Sequence, residues 1–228
     1  MSGLFDGNGS FMGGLFKFSD LFLLNLLYLV CCLPVFTIGA ATTALYYSSM
    51  KLVEDRGTSA VKGFLHSFKE NFLQATGIWL IYLAGGAFVG MDFYLLTRYD
   101  VGINKLLLGF LIIPTIIIVF SMVYSFPLLS RFENTVKTTL VNSVLLSIAN
   151  LPLTIMMIVF HALPVIIVIW SLKFAPISIL IGFAAVAYSN SIFLLKMFEK
   201  MKPESEEIQE DTQEQEVQAD SDIESNVE

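Results

Sequence analysis

Thirty consecutive residues, Leu21 to Met50, carry no charged side chain. At about 1.5 Å of rise per residue a single helix would extend about 45 Å, against a hydrocarbon core about 30 Å thick. The run must therefore bend, emerge or return. Pro34 divides it into Leu21–Leu33, almost entirely aliphatic, and Val35–Met50, rich in small and hydroxyl-bearing residues. Such residues either let helices pack closely or line a broken helix whose freed carbonyls and hydroxyls bind a substrate. Pro34, Gly39, Thr42, Thr43 and Tyr46 are the candidate structural or substrate-contact residues of this stretch.

Composition assigns the rest of the chain to the same class. Hydrophobic residues make up 55% and charged residues 14%, and the mean hydropathy is +0.72, outside the ordinary soluble range. The net charge of -7 conceals a division: eleven of the twenty acids lie in 204–228, a stretch without Lys or Arg, so residues 1–203 are net +4. The acidic end has too few apolar residues to offset its ordering entropy and is expected to be disordered, as a soluble tail or a docking segment. The expected organisation is an N-terminal segment over 1–18, an all-α transmembrane domain over 19–202 and the acidic tail over 203–228.

Five charge-poor runs follow one another: 21–50, 71–91, 106–130, 138–172 and 174–195. They predict a polytopic helical bundle with about five spanning helices in the lipid bilayer. If all five cross and the N-terminus is outside, nine of the thirteen basic residues lie inside, as the positive-inside rule requires, and the C-terminus is cytoplasmic. If the first run instead enters and returns as a hairpin, Lys17 joins them and the division becomes ten against three. The single crossing is preferred, because a re-entrant bend needs protein or water around it and a small bundle offers limited cover. The small residues near Gly39 imitate a leader-cleavage site, but only Lys17 precedes the apolar core, and no cleavage is expected.

Two spans are expected to be preceded by inner-face amphipathic helices. In 62–75, Phe64, Leu65, Phe68 and Phe72 share a face, with Lys62, His66, Lys69 and Glu70 opposite. Before the fourth span, Phe132, Val136 and Leu140 share a face beside Arg131 and Lys137. Phe68, Lys69, Asn71, Phe72, Arg131, Phe132 and Asn134 form the candidate partner surface. The segments Ser67-Phe-Lys-Glu-Asn-Phe and Arg131-Phe-Glu-Asn hint at a duplicated unit.

Little in the chain promises chemistry. Asp92 and His161 are the candidate intramembrane polar residues, since ionisable groups at membrane depth are functional by default. Against this, Asp92 falls in the last turns of its helix, and a hydrogen bond to a neighbouring helix is the plainer reading of His161. Cys31 and Cys32 read as small apolar packing. Gly86-x-x-x-Gly90 allows close helix approach, within the chain or in a homo-oligomer, and Asn25, Asn142 and Asn150 read as interhelical glue. Hydrolase, metalloprotease and phosphate-loop signatures are missing from the sequence, so the expectation is a protein without enzymatic activity, cofactor, metal site or nucleic-acid partner.

The block Asn25-Leu-Leu-Tyr-Leu-Val-Cys-Cys-Leu-Pro-Val-Phe-Thr-Ile-Gly-Ala-Ala-Thr-Thr-Ala-Leu-Tyr-Tyr resembles the YesL family of small bacterial membrane proteins. Later blocks, Ser67-Phe-Lys-Glu-Asn-Phe-Leu-Gln-Ala-Thr, Arg131-Phe-Glu-Asn-Thr-Val-Lys-Thr-Thr-Leu and Ala149-Asn-Leu-Pro, extend the resemblance over about residues 15–200. The family is of unknown function. The resemblance implies a bacterial cytoplasmic membrane and, by gene setting alone, an association with carbohydrate ABC transporter components. It supplies no catalytic or binding residues. The expected role is an accessory or regulatory component of carbohydrate uptake, with a permease or small-solute transporter as the alternative.

Overall fold

The structure is a computed structural model that describes residues 10–55, 59–98, 104–170 and 172–200. The acidic tail expected to be disordered lies outside the described residues, as do the first nine residues. Regular structure among the described residues is entirely helical: α1 (Ser10–Cys31), α2 (Ile38–Val53), α3 (Ala60–Glu70), α4 (Phe72–Arg98), α5 (Asn104–Arg131), α6 (Val136–Ala149), α7 (Leu151–Trp170) and α8 (Ala175–Glu199). Among the described residues four helical stretches are long and apolar enough to cross a membrane: Phe72–Arg98, Gly109–Arg131, Leu151–Trp170 and Ser178–Glu199. The chain is an all-α, polytopic integral membrane protein. It divides into a first unit of residues 1–192 and a second of 193–228, whose described part is the end of α8.

The uncharged run that opened the sequence folds as two helices, and they are antiparallel. Proline lacks an amide hydrogen and clashes with the carbonyl four residues back, which disfavours continuation of α1 through Pro34. It stops at Cys31, Pro34 is extended at φ -78° and ψ 120°, and a 3-10 turn over Val35–Thr37 leads into α2. The Thr37 hydroxyl lies 2.5 Å from the Cys31 carbonyl and 2.7 Å from that of Pro34, covering acceptors that the break exposes. At the other end Lys17 Nζ is 2.8 Å from the Asp55 carboxylate. The start of α1 and the end of α2 therefore lie together, and the returning hairpin replaces the expected single crossing.

Cover for that bend comes from its neighbours. Ala40, Ala41, Thr43 and Ala44 of α2 are fully buried among α1, α3, α4 and α5. Gly39 lets α4 approach: a Cβ there would sit 2.7 Å from Trp79 Cβ and closer still to the Ala75 carbonyl oxygen. The hairpin tip exposes Leu33, Val35 and Phe36, all apolar, while Trp79 Nε1–H donates to the Val35 carbonyl at 2.8 Å. The objection from limited cover fails because the polar half of the run is the interior of the bundle and the exposed residues of the run, on α1 and at the tip, are apolar.

Two similar hairpins build the first unit. α2 turns into α3 and then α4, with Asn71 at the joint; α5 turns into α6 and then α7, with Asn150 at the joint. Each asparagine carbonyl accepts from the amide four residues on (Ala75, 2.8 Å; Thr154, 2.9 Å). Each Nδ2 donates to the carbonyl four residues back, Ser67 and Leu146, both at 3.2 Å. The equivalent of Asn71 is therefore Asn150. The expected match with Arg131-Phe-Glu-Asn fails, because that segment is the turn between α5 and α6. α2 and α5 run parallel, and Arg131 at the end of α5 holds Glu54 at the end of α2 at 3.1 and 3.4 Å.

The short helices α3 and α6 pack lengthwise against α2 and α5. On α3 the buried face is Ala60, Gly63, Phe64 and Ser67, leaving Leu65 42% exposed. On α6 it is Thr139, Ser143 and Ser147, while Phe132, Val136 and Leu140 are only half-buried. The periodicity of hydroxyls, rather than of apolar residues, marks the inward face of α6.

Candidate functional site: an intramembrane cavity

A cavity of about 530 Å³ opens inside the first unit, with walls from α1, α2, α4, α5, α7 and α8. Its surface is almost wholly apolar, interrupted by Tyr28, Thr42, Tyr46, His161 and Ser178. His161 is the eleventh residue of the twenty in α7, roughly 15 Å along the helix from either end and so at mid-span.

The polar groups at this wall form an ordered chain. His161 Nδ1 lies 2.8 Å from the Met157 carbonyl, one helical turn back, which fixes the proton on Nδ1 and leaves Nε2 as an acceptor. The Tyr46 hydroxyl, 3.3 Å away, donates to Nε2. Asn190 Nδ2 donates in turn to the Tyr46 oxygen at 3.3 Å. The 3.4 Å approach of Asn190 Nδ2 to His161 Nδ1 is then a contact between two N–H groups. The fully buried Asn190 keeps its Oδ1 without a hydrogen-bond partner. In this tautomer the imidazole is neutral, as a low-dielectric wall requires.

Of the residues singled out in the first run, the fold brings only Thr42 and Tyr46 to the cavity. Thr42 donates to the Ile38 carbonyl at 2.7 Å, with Tyr28 Oη 3.5 Å from its hydroxyl. Thr43 is fully buried, donating to the Gly39 carbonyl at 3.0 Å; Gly39 serves the α2–α4 contact, and Pro34 stands exposed at the hairpin tip. Asp92 is half-buried six residues before the end of α4 and does not line the cavity.

The residues chosen as a partner surface are dispersed by the fold. Phe68 lies between Phe64 and Phe72, with ring centroids 6.2 and 5.6 Å away. Asn71 caps α3, Arg131 is engaged by Glu54, and Phe132 and Asn134 are half-buried in the α5–α6 turn. Lys69 is exposed, beside Leu65, His66 and Glu70.

A second polar cluster escaped the reading of the sequence. Tyr82 Oη lies 2.6 Å from both Ser121 and Ser125, and Ser143 lies 2.6 and 2.9 Å from the same two serines. Every member is an uncharged hydroxyl, and the cluster ties α4, α5 and α6 together. Asn25 has a comparable role: it donates to the Ile179 carbonyl at 2.8 Å and accepts from the Ala184 amide at 3.0 Å. Those two groups are five residues apart on α8, so the Asn25 amide bridges successive turns of that helix. Gly86 and Gly90 meet nothing within 4 Å; it is Gly85 that approaches α5, where a Cβ would lie 3.2 Å from Ile118. No three His, Cys, Asp or Glu side chains among the described residues stand together as a metal site.

A family model matches about a third of the chain. The model of a family described as "Protein of unknown function, DUF624" matches residues 21–93, the stretch that holds the second half of α1, α2, α3 and most of α4. No curated protein matches the chain, and no solved structure matches it. Over that stretch the chain is similar to an uncharacterised family of membrane proteins.

Proposed function

We propose that the protein is a non-enzymatic accessory component of a bacterial cytoplasmic membrane, of the YesL type, that assembles with components of a carbohydrate ABC transporter. The observation that supports this most is how the intramembrane polar groups are used. Tyr82, Ser121, Ser125, Ser143, Asn25 and Thr154 bond to one another or to main chain across helices, and few are left to carry a polar solute. Counted along the sequence, a hairpin that returns to the side of Lys17 leaves ten of the thirteen basic residues on that side, and by the positive-inside rule this reading takes that side as cytoplasmic, the C-terminus with it. The exposed edge of α3 at Leu65 and Lys69 is the contact surface of this reading.

A permease is the second reading, motivated by the cavity and the broken α1–α2 backbone. The wall chemistry argues against a sugar. A carbohydrate presents hydroxyls on every side, and each one buried unpaired costs about 1–3 kcal/mol. Affinity purification from native membranes decides between the readings when paired with solute flux in reconstituted vesicles. The accessory reading expects a permease or solute-binding component to co-purify, to be lost on Leu65→Glu with Lys69→Glu, and no flux. Recovery of no such component, or sugar flux by the protein alone, refutes it.

A further inference from the structure

We propose that the cavity walled by Tyr46 and His161 is a binding site for an uncharged, single-chain lipophile bearing one hydroxyl group, drawn laterally from the bilayer. This goes beyond the accessory role and does not depend on it.

The size and lining of the space come first. About 530 Å³ falls within the range of small-molecule sites, roughly 300–1,000 Å³. An apolar space of that size is costly to leave empty and does not hold water, which needs several polar partners. Its outer wall includes Val165 and Ile169 of α7 and Ile179 and Phe183 of α8, all 42% exposed or more. These lie on lipid-facing stretches, so the bilayer is the reservoir from which the space is filled.

The polar end of the wall selects the head. Among the described residues no Lys, Arg, Asp or Glu lines the cavity, and His161 is neutral, its Nε2 lone pair taken by the Tyr46 hydroxyl within an apolar wall. A carboxylate or phosphate there would be a buried charge without a counter-charge. The depth of His161 at mid-span likewise excludes a headgroup that must stay hydrated at the interface. Thr42 and Tyr46 commit their protons to the Ile38 carbonyl and to His161 Nε2; Tyr28 Oη faces the Thr42 oxygen and Asn190 donates to that of Tyr46, and one lone pair remains on each oxygen. What they accept is an O–H, so an alcohol fits where an ether of the same length does not.

The full-length protein in phosphatidylcholine nanodiscs, labelled with a diazirine-bearing hexadecanol, tests this. Photolabel is expected on α7 and α8 peptides around His161 and Phe183, competed by hexadecanol about tenfold better than by its methyl ether or by hexadecanoate. Ile158→Trp, which fills the cavity, is expected to reduce labelling about tenfold. Thr42→Val, a near-isosteric change, is expected to fold normally and to narrow the preference for alcohol over ether. Equal competition by alcohol and ether overturns the proposal. So does label spread evenly over all lipid-facing helices, or labelling unchanged in a folded Ile158→Trp protein; if that variant does not fold, an unaltered alcohol preference in Thr42→Val overturns it instead.

Discussion

Lys17 and Asp55 are 38 positions apart in the chain, and their ammonium and carboxylate groups are 2.8 Å apart in the structure. The pair closes the open end of the α1–α2 hairpin as Thr37 closes its tip. The hydrogen bond to Asp55 raises the Lys17 pKa above its usual value, against a smaller opposing effect of burial. A raised lysine pKa stabilises below the unfolded value and loses that contribution as pH rises through the folded one, so the pair is intact at neutral pH. Because both side chains are substantially exposed, Lys17→Asp is expected to cost about 0.2–1 kcal/mol in detergent melting. The exchange Lys17→Asp with Asp55→Lys is expected to restore most of it.

Gly39→Ala is expected to destabilise by about 1–3 kcal/mol, since its Cβ would strike the α4 backbone at Ala75 and the Trp79 Cβ. Gly77→Ala, where nothing lies within 4 Å, is the matched control and is expected to be neutral or slightly stabilising. Thermal unfolding of the two variants in one detergent checks the contrast.

Arg131 and Glu54 are less exposed, at 26% and 16%, and meet through two N–O contacts. Removing either alone breaks this part-buried ion pair, and about 1–3 kcal/mol is expected for Arg131→Ala or Glu54→Ala. The double variant is expected to cost less than the two added together, and a double-mutant cycle reads the difference.

In the hydroxyl cluster, Ser143→Ala is expected to cost about 0.5–2 kcal/mol, because Ser121 and Ser125 both lose their α6 partner. Tyr82→Phe is expected to fall in the same range. Chemical unfolding in mixed micelles measures both.

The membrane class, the break at Pro34 and the inward character of Gly39 to Tyr46 could be read directly from the sequence, because length against bilayer thickness and residue size are local properties. The direction of the chain after Pro34 could not. It depends on whether neighbours cover the bend, and those neighbours, Ala75 and Trp79 among them, are set by tertiary packing. The cavity was hidden for a similar reason. Tyr46 and His161 are 115 positions apart and Asn190 another 29 on, and no spacing rule joins them. Ser121, Ser125 and Ser143 escaped attention because a serine within an apolar run reads as neutral until its partners on other helices are known. Asn190, the most polar residue in the last apolar run, was the one signal available.

The returning hairpin is tested most directly by single cysteines in a background with Cys31 and Cys32 replaced by serine. Lys17→Cys, Ser59→Cys and Lys173→Cys are each probed with a membrane-impermeant maleimide on intact cells and on inverted vesicles. The expected result is that Lys17→Cys and Ser59→Cys label from the same side, the cytoplasmic one, and Lys173→Cys from the other. Labelling of Lys17→Cys together with Lys173→Cys, opposite to Ser59→Cys, would show that the first run crosses once and would contradict the hairpin.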